Sequence, residues 1–298
     1  MIAKSTTHAD GLAGLRIGLS LEGAQLGLKP IYDLTQEDRR ADLVQLASKA
    51  TGIIAGIDRL RHGESIVPPR PELGYVANYL YMLHGTIPEP RLVSALSAYL
   101  AAAIDHGFNA STFTARVIAS TGADVASCVV GALGALSGPL HGGAPSRALD
   151  TLDAIGSPEN IDKWVTERLI AGQRIMGFGH PVYRTEDPRS ALLKEVAKSF
   201  GGPRVDFAVT VEERIPELLE KYKPGRELHT NLEWYAGIVM EICGLERALF
   251  TPTFAAARIL GWTANILEQS KDPKIIRPSA RYVGPPPPQP IPPLDESL

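Results

Sequence analysis

Apolar residues recur at three- and four-residue intervals along nearly the whole chain, the period of helices rather than of strands. LTQEDRRADLVQLASKATGIIAGIDRLRHG begins at a capping Thr35 followed by acidic residues and stops at Gly63, so it predicts one long helix. Pro68 and Pro69 mark a loop. GYVANYLYMLHG then predicts a short helix ending at Gly85, and EPRLVSALSAYLAAAIDHG another ending at Gly107. NASTFTARVIASTG offers Asn109 or Ser111 as its cap and Gly122 as its stop. DVASCVVGALGALSG, NIDKWVTERLIAG, DPRSALLKEVAKSFGG, VEERIPELLEKYKPG, NLEWYAGIVMEICGL and TFAAARILGWTANILEQS continue the pattern. No alternating stretch is long enough for a useful strand. The expected fold is all-α, with helices joined by Gly- and Pro-rich turns. The tail from Gly284, GPPPPQPIPPLDESL, is too proline-dense for a helix and is expected to be an extended polyproline segment lying on a partner subunit or free.

Composition narrows the class. The chain has 298 residues, a net charge of −3 and 44% hydrophobic residues, ordinary for a globular protein with a large core or two lobes. No basic footprint points to nucleic acid. Cys128 and Cys243 both fall in apolar helical patterns and read as buried free thiols of a reducing compartment. The opening MIAKSTTHADG has no apolar core of a secretory signal. The longest uncharged run, Val125 to Leu140, is interrupted by Gly131, Gly134, Gly138 and Pro139 and is too short for a bilayer. It predicts a helix buried on all sides, as at a subunit interface. Cytoplasmic residence and no membrane partner are expected.

Three segments carry candidate chemistry. In SGPLHGGAPSRALD, His141 sits in a glycine-flanked turn and Pro145 suits the first turn of the next helix. The positive end of that helix disfavours protonation of the imidazole, and a neutral histidine can donate to a developing enolate oxygen. A plain turn histidine is the bland alternative. In IMGFGHPVYRTEDPR, Gly177 and Gly179 let backbone approach a ligand, with His180 facing it. Arg184 and Arg189 offer guanidinium groups for carboxylate or phosphate, or else a solvated helix start. In HTNLEWYAG, Thr230 or Asn231 caps a helix and Glu233 falls in its first turn, where a carboxylate is favoured and is common for stability alone. Arg258 lies inside the apolar TFAAARILGW, so it needs an ion pair or a bound anion. Arg277 and Arg281 lie where they could reach a neighbouring subunit. HExxH, paired CxxC, GxSxG and a phosphate loop after a strand are all missing from the sequence. What remains is acid/base work on a polyanionic small molecule.

DHGFNASTFTARV, GPLHGGAPSRAL and GFGHPVYRTEDPR, in that order, resemble the citrate synthase family, with the likeness running to RPSARYVGP. The resemblance implies an all-α homodimer with a large domain (1–142 and 249–298, the latter with the Pro-rich tail) and a small domain (143–248) flanking an active-site cleft. By the same resemblance, His141 stabilises the enol of acetyl-CoA and His180 polarises the oxaloacetate carbonyl. His106, Arg189 and Arg258 bind oxaloacetate, and Arg277 serves the other subunit's site. Ile175, Met176, Gly177, Phe178, Gly179 and Arg184 hold CoA, a co-substrate; no permanently bound cofactor and no metal are implied. Where the family has aspartate as base, this sequence has Glu233. The resemblance also implies a shortened N-terminus, by roughly a hundred residues on domain-size reasoning. The implied reaction is condensation of acetyl-CoA with oxaloacetate to citrate. Its alternatives are 2-methylcitrate synthesis from propionyl-CoA, or a truncated, non-catalytic paralogue acting as a dimer partner.

Overall fold

A computed structural model describes residues 11–138, 141, 144–179, 185–222, 224–225 and 228–290. Among these there are twelve α-helices and only an isolated bridge of extended structure. They are α1 (Gly11–Leu26), α2 (Gln36–Arg61), α3 (Tyr75–His84), α4 (Pro90–Ala103), α5 (Ala110–Ala119), α6 (Val125–Leu136), α7 (Ala144–Ile155), α8 (Ile161–Ile170), α9 (Pro188–Phe200), α10 (Pro203–Tyr222), α11 (Leu232–Ile242) and α12 (Phe250–Gln269). The expected all-α fold is the observed one.

The caps that start these helices are those the residue types favour. Thr35 accepts the Asp38 N–H at 3.2 Å ahead of α2. Asn109, not Ser111, caps α5 by accepting the Thr112 N–H at 3.0 Å, which leaves Ser111 inside the helix and fully buried. Gly107 lies in the turn beyond α4, which already ends at Ala103.

One helix goes unannounced by the pattern. α1 holds Gly11, Gly14, Gly18 and Gly23, each costing about 1 kcal/mol in intrinsic helix propensity. Tertiary packing overrides that cost. A methyl on Gly14 would meet Ile57 at 2.6 Å, and one on Gly18 would meet Ile53 at 2.6 Å, so the small residues let α1 lie directly on α2.

α12 is the central helix, packing against α1, α2, α4, α5, α6 and α7. Its Trp262 and Phe250 are fully buried, as are Leu15, Leu46, Tyr79 and Tyr99 from the helices around it. α9 and α7 pack on α11, while α10 packs on α8. α11 and α9 also touch α4, which ties the two groups of helices together. α6 differs from expectation. Ser127 and Gly134 are exposed, so within one chain the helix keeps an open face. Cys128 and Cys243 are buried free thiols, and burial pushes both up to about 12. The segment 277–290 is exposed and extended, fastened at its root where the Ile276 N–H donates to Ser120 Oγ at 2.9 Å. No helix among the described residues is long and apolar enough to cross a membrane.

Candidate active site

Two of the candidate segments form one unit. Phe178 pairs with Thr230 in an antiparallel bridge. The Gly179 N–H donates to the His229 carbonyl at 2.8 Å and the Asn231 N–H to the Gly177 carbonyl at 2.9 Å. Asn231 Nδ2 donates to the Gly179 carbonyl at 2.9 Å, while its Oδ1 caps α11 by accepting the Glu233 N–H at 3.0 Å. The loop therefore sets where α11 begins, and with it Glu233. Gly177 is left-handed at φ 88°, and a Cβ there would meet the Trp234 ring at 2.6 Å. Ile175 and Phe178 are buried, Met176 is half-buried, and Phe178 stands edge-on to Trp234 with centroids 4.9 Å apart. The demand for Gly177 thus comes from Trp234 as well as from any ligand, a packing reason the linear pattern does not reveal.

Glu233 is the most perturbed carboxylate here. Its Oε2 is buried and has no hydrogen-bond partner among the described residues. Burial pushes its pKa up to about 7, the Arg189 and Arg258 charges pull against that rise, and Asp187 adds to it. Arg189 stands in the first turn of α9 in a fork on Asp187, with Nε to Oδ1 at 3.0 Å and Nη2 to Oδ2 at 2.8 Å. Asp187 also caps α9 through the Arg189 N–H at 3.0 Å and accepts the Leu232 N–H at 3.2 Å. Burial alone would raise the Asp187 carboxyl, but Arg189 and these N–H groups outweigh it and hold it below the ordinary value.

Arg258 is 3% exposed. Its Nε donates to the Ala103 carbonyl at 2.9 Å, and its guanidinium lies 4.9 Å from the Phe254 ring centroid. Among the described residues no carboxylate makes a salt bridge with it. Burial lowers its pKa, and the nearby Asp105, Tyr99 and Glu233 oppose that.

His141 follows the same electrostatics. Burial first, then the Arg258 charge, lowers its pKa, which disfavours the protonated imidazole. Its Nε2 lies 2.8 Å from Ser111 Oγ, which is also 2.8 Å from Asn109 Oδ1. Ser111 has one proton and two claimants. When it goes to Asn109 Oδ1, Ser111 Oγ accepts from His141 Nε2–H; when it goes to His141 Nε2, the imidazole proton sits on Nδ1, and Asn109 Oδ1 keeps the Thr112 N–H.

Glu233 of α11, Arg189 of α9, Arg258 of α12 and His141 of the α6–α7 turn are linked by charge: Arg189 and Arg258 act on Glu233, and Arg258 acts on His141. His106 is half-buried beside Asp105 in the turn before α5, with Nε2 in the interior. Arg277 is exposed on the C-terminal segment, one residue beyond the Ile276 anchor. His180 and Arg184 lie outside the described residues. Sequence reasoning missed Ser111, seen only as a rival cap, and Asp187, which caps α9 and aims Arg189. It also missed Tyr99, which sits at an ordinary core position of its helix.

The family pattern described as "Citrate synthase, C-terminal domain" matches residues 1–279. The chain belongs to the citrate synthase family. A Deinococcus radiodurans protein named "Citrate synthase" is 39% identical over 253 residues, covering 85% of this chain and 67% of that protein. The crystal structure of the Thermotoga maritima citrate synthase is 35% identical with a TM-score of 0.81, covering 98% of this chain and 76% of that one. The Thermoplasma acidophilum citrate synthase, solved as a ternary complex with carboxymethyl coenzyme A and oxaloacetate, is 28% identical with a TM-score of 0.86, covering 98% and 77%. This citrate synthase relative thus spans about three quarters of the length of those solved chains. Its helical architecture is theirs, and its activity is that of a transferase of their class.

Proposed function

We propose that this chain condenses acetyl-CoA with oxaloacetate to a citryl thioester, which water then hydrolyses to citrate and CoA. The observation that carries the reading is the Glu233 carboxylate, buried, unpartnered at Oε2 and raised to about 7 within reach of two guanidinium charges. A carboxylate with that pKa is matched to taking a proton near neutral pH. Glu233 takes it from the acetyl methyl group. His141, neutral, with Ser111 donating into Nε2, donates from Nδ1 to the thioester oxygen as that oxygen becomes enolic. Arg258, buried without a carboxylate, and Arg189, already aimed by Asp187, hold the carboxylates of oxaloacetate. His106 joins them, and His180 polarises the ketone, the roles the family resemblance implies.

The residues come from both sides of the proposed division. His141, His106 and Arg258 belong to the large domain (1–142 and 249–298), and Glu233 and Arg189 to the small domain (143–248). The site therefore falls in a cleft whose closure excludes water. The Ile175–Gly179 loop, with Arg184, holds CoA as a co-substrate, largely through backbone because Ile175 and Phe178 turn inward. The chain works as a homodimer in the cytoplasm. The exposed C-terminal segment offers Arg277 to the partner's site, and the free buried thiols suit a reducing compartment.

The test is thiol release by the purified chain with oxaloacetate and each acyl-CoA. Release with acetyl-CoA exceeding that with propionyl-CoA is expected. The reverse order makes it a 2-methylcitrate synthase, and no release from a folded chain makes it a non-catalytic partner. One methylene discriminates by about 1–3 kcal/mol, so the two rates are resolvable.

A further inference from the structure

Tyr99 lies on α4, is entirely buried, and its hydroxyl makes no hydrogen bond among the described residues. Its neighbour in type and depth, Tyr79, satisfies its own hydroxyl on Thr253 Oγ1 at 2.6 Å. Burying a hydroxyl without a partner is costly, and native interiors contain few such groups. A phenylalanine would fill the same space without that cost. The hydroxyl therefore calls for a partner that the resting arrangement does not supply.

Its direction follows from the helix. Ala103 stands one turn beyond Tyr99 on α4, so the two share a face. The Ala103 carbonyl on that face holds Arg258 Nε at 2.9 Å. α11, which carries Glu233, packs on α4 as well. Glu233 Oε2 on α11 is likewise buried with no partner among the described residues. One atom is a donor and the other an acceptor. The two charges register on the phenol: burial raises its pKa well above the ordinary value, Glu233 raises it further, and Arg258 opposes.

We propose that Tyr99 is a positioning residue for Glu233, its hydroxyl donating a hydrogen bond to the Glu233 carboxylate in the substrate-bound enzyme. The inference rests on the reading of Glu233 as the base. A base in a buried pocket must present one lone pair to the methyl group, and a donor on the carboxylate fixes which one. The charges of Arg189 and Asp187 on α9 and of Arg258 on α12 act on Glu233, and the charge of Glu233 acts on Tyr99 of α4, the helix on which α11 packs. Of these, Tyr99 is the uncharged donor with nothing else to hold.

The test is the pH profile of kcat, which reports the substrate-bound state. Removing a donor from a carboxylate raises its pKa, so in Tyr99→Phe the acid limb should move upward by about one to two pH units, the worth of a hydrogen bond to a charged group. Oxaloacetate affinity should stay within a few-fold of the parent, and the ligand-free Tm should be unchanged or higher. A folded Tyr99→Phe enzyme whose acid limb stays in place overturns the proposal. Should Phe prevent folding, 3-fluorotyrosine at position 99 decides: a more acidic phenol is a stronger donor and should move the limb downward, whereas an unmoved limb overturns the role. Glu233→Gln separates the two layers. If that variant keeps full condensation, the base itself is misassigned. If it is inactive while the Tyr99 variants leave the limb unmoved, only the positioning role fails.

Discussion

Two buried arginines are treated in opposite ways. Arg116, on α5, is 7% exposed and surrounded by acceptors: Nε donates to Asn265 Oδ1 at 2.9 Å, Nη1 to Gln269 Oε1 at 3.2 Å, and Nη2 to the Glu268 carboxylate. Arg258, on α12, is 3% exposed and has one carbonyl and one aromatic face. The same helix, α12, supplies the full acceptor set for the first and the guanidinium of the second. Burying a cation costs several kcal/mol unless it is paired and hydrogen-bonded. Arg116 meets that requirement inside the protein and clamps α5 to α12. Arg258 meets it in part and is kept in a corner with a raised carboxylate, a neutral histidine and an unpartnered phenol. The first arrangement is complete within the described residues, and under the proposed function the second is completed by a substrate carboxylate.

The sharpest way to break this comparison is to remove each guanidinium in turn. Arg258→Met should lower oxaloacetate affinity by about a hundredfold or more, since two charge-assisted hydrogen bonds are lost, and should leave Tm near the parent value. Calorimetric titration and thermal melting check both halves. Arg116→Met should do the opposite. Stability falls by roughly 1–3 kcal/mol, discounted because Glu268 is largely solvated, while oxaloacetate affinity is kept. If the Arg258 variant lost stability and kept affinity, the two corners would have been assigned the wrong way round.

A smaller effect sharpens the account of His141. Where the Ser111 proton goes to His141 Nε2, Ser111→Ala removes the donor that keeps the imidazole proton on Nδ1 and should lower kcat by about tenfold, the worth of one hydrogen bond of 1–1.5 kcal/mol. The α5 cap should survive, because the Thr112 N–H still donates to Asn109. A kcat equal to the parent's would mean that the tautomer is set elsewhere.

The contrast also shows which features are legible in a linear pattern. Thr35 and Asn231 announce helix starts because a cap is a local matter of a side chain and an N–H two or three residues on. Arg258 is visible as an oddity, a cation in an apolar run, while Glu233 reads as an ordinary acid in a helix's first turn. Their environments are not visible, since these depend on α4, α9 and α12 meeting. α1 escapes notice because its glycines read as breaks until Ile57 and Ile53 are seen filling the space they leave. Ser111 and His141 are thirty residues apart, and no periodicity links them. Tyr99 shows the limit most clearly. In the sequence it is one more apolar position of α4, and only the neighbours of its hydroxyl set it apart from Tyr79.

The central claim is that Glu233 is the base of this site, and it is tested most directly by exchange of the acetyl-CoA methyl protons with deuterated solvent, in the presence of a non-condensing dicarboxylate analogue of oxaloacetate. Glu233→Gln keeps the shape of the side chain and removes its basicity. The account predicts that exchange slows by about 10²–10⁴-fold while affinity for the analogue changes by no more than a few-fold. Exchange at the parent rate, or a loss of exchange that only mirrors an equal loss of affinity for the analogue, would contradict it.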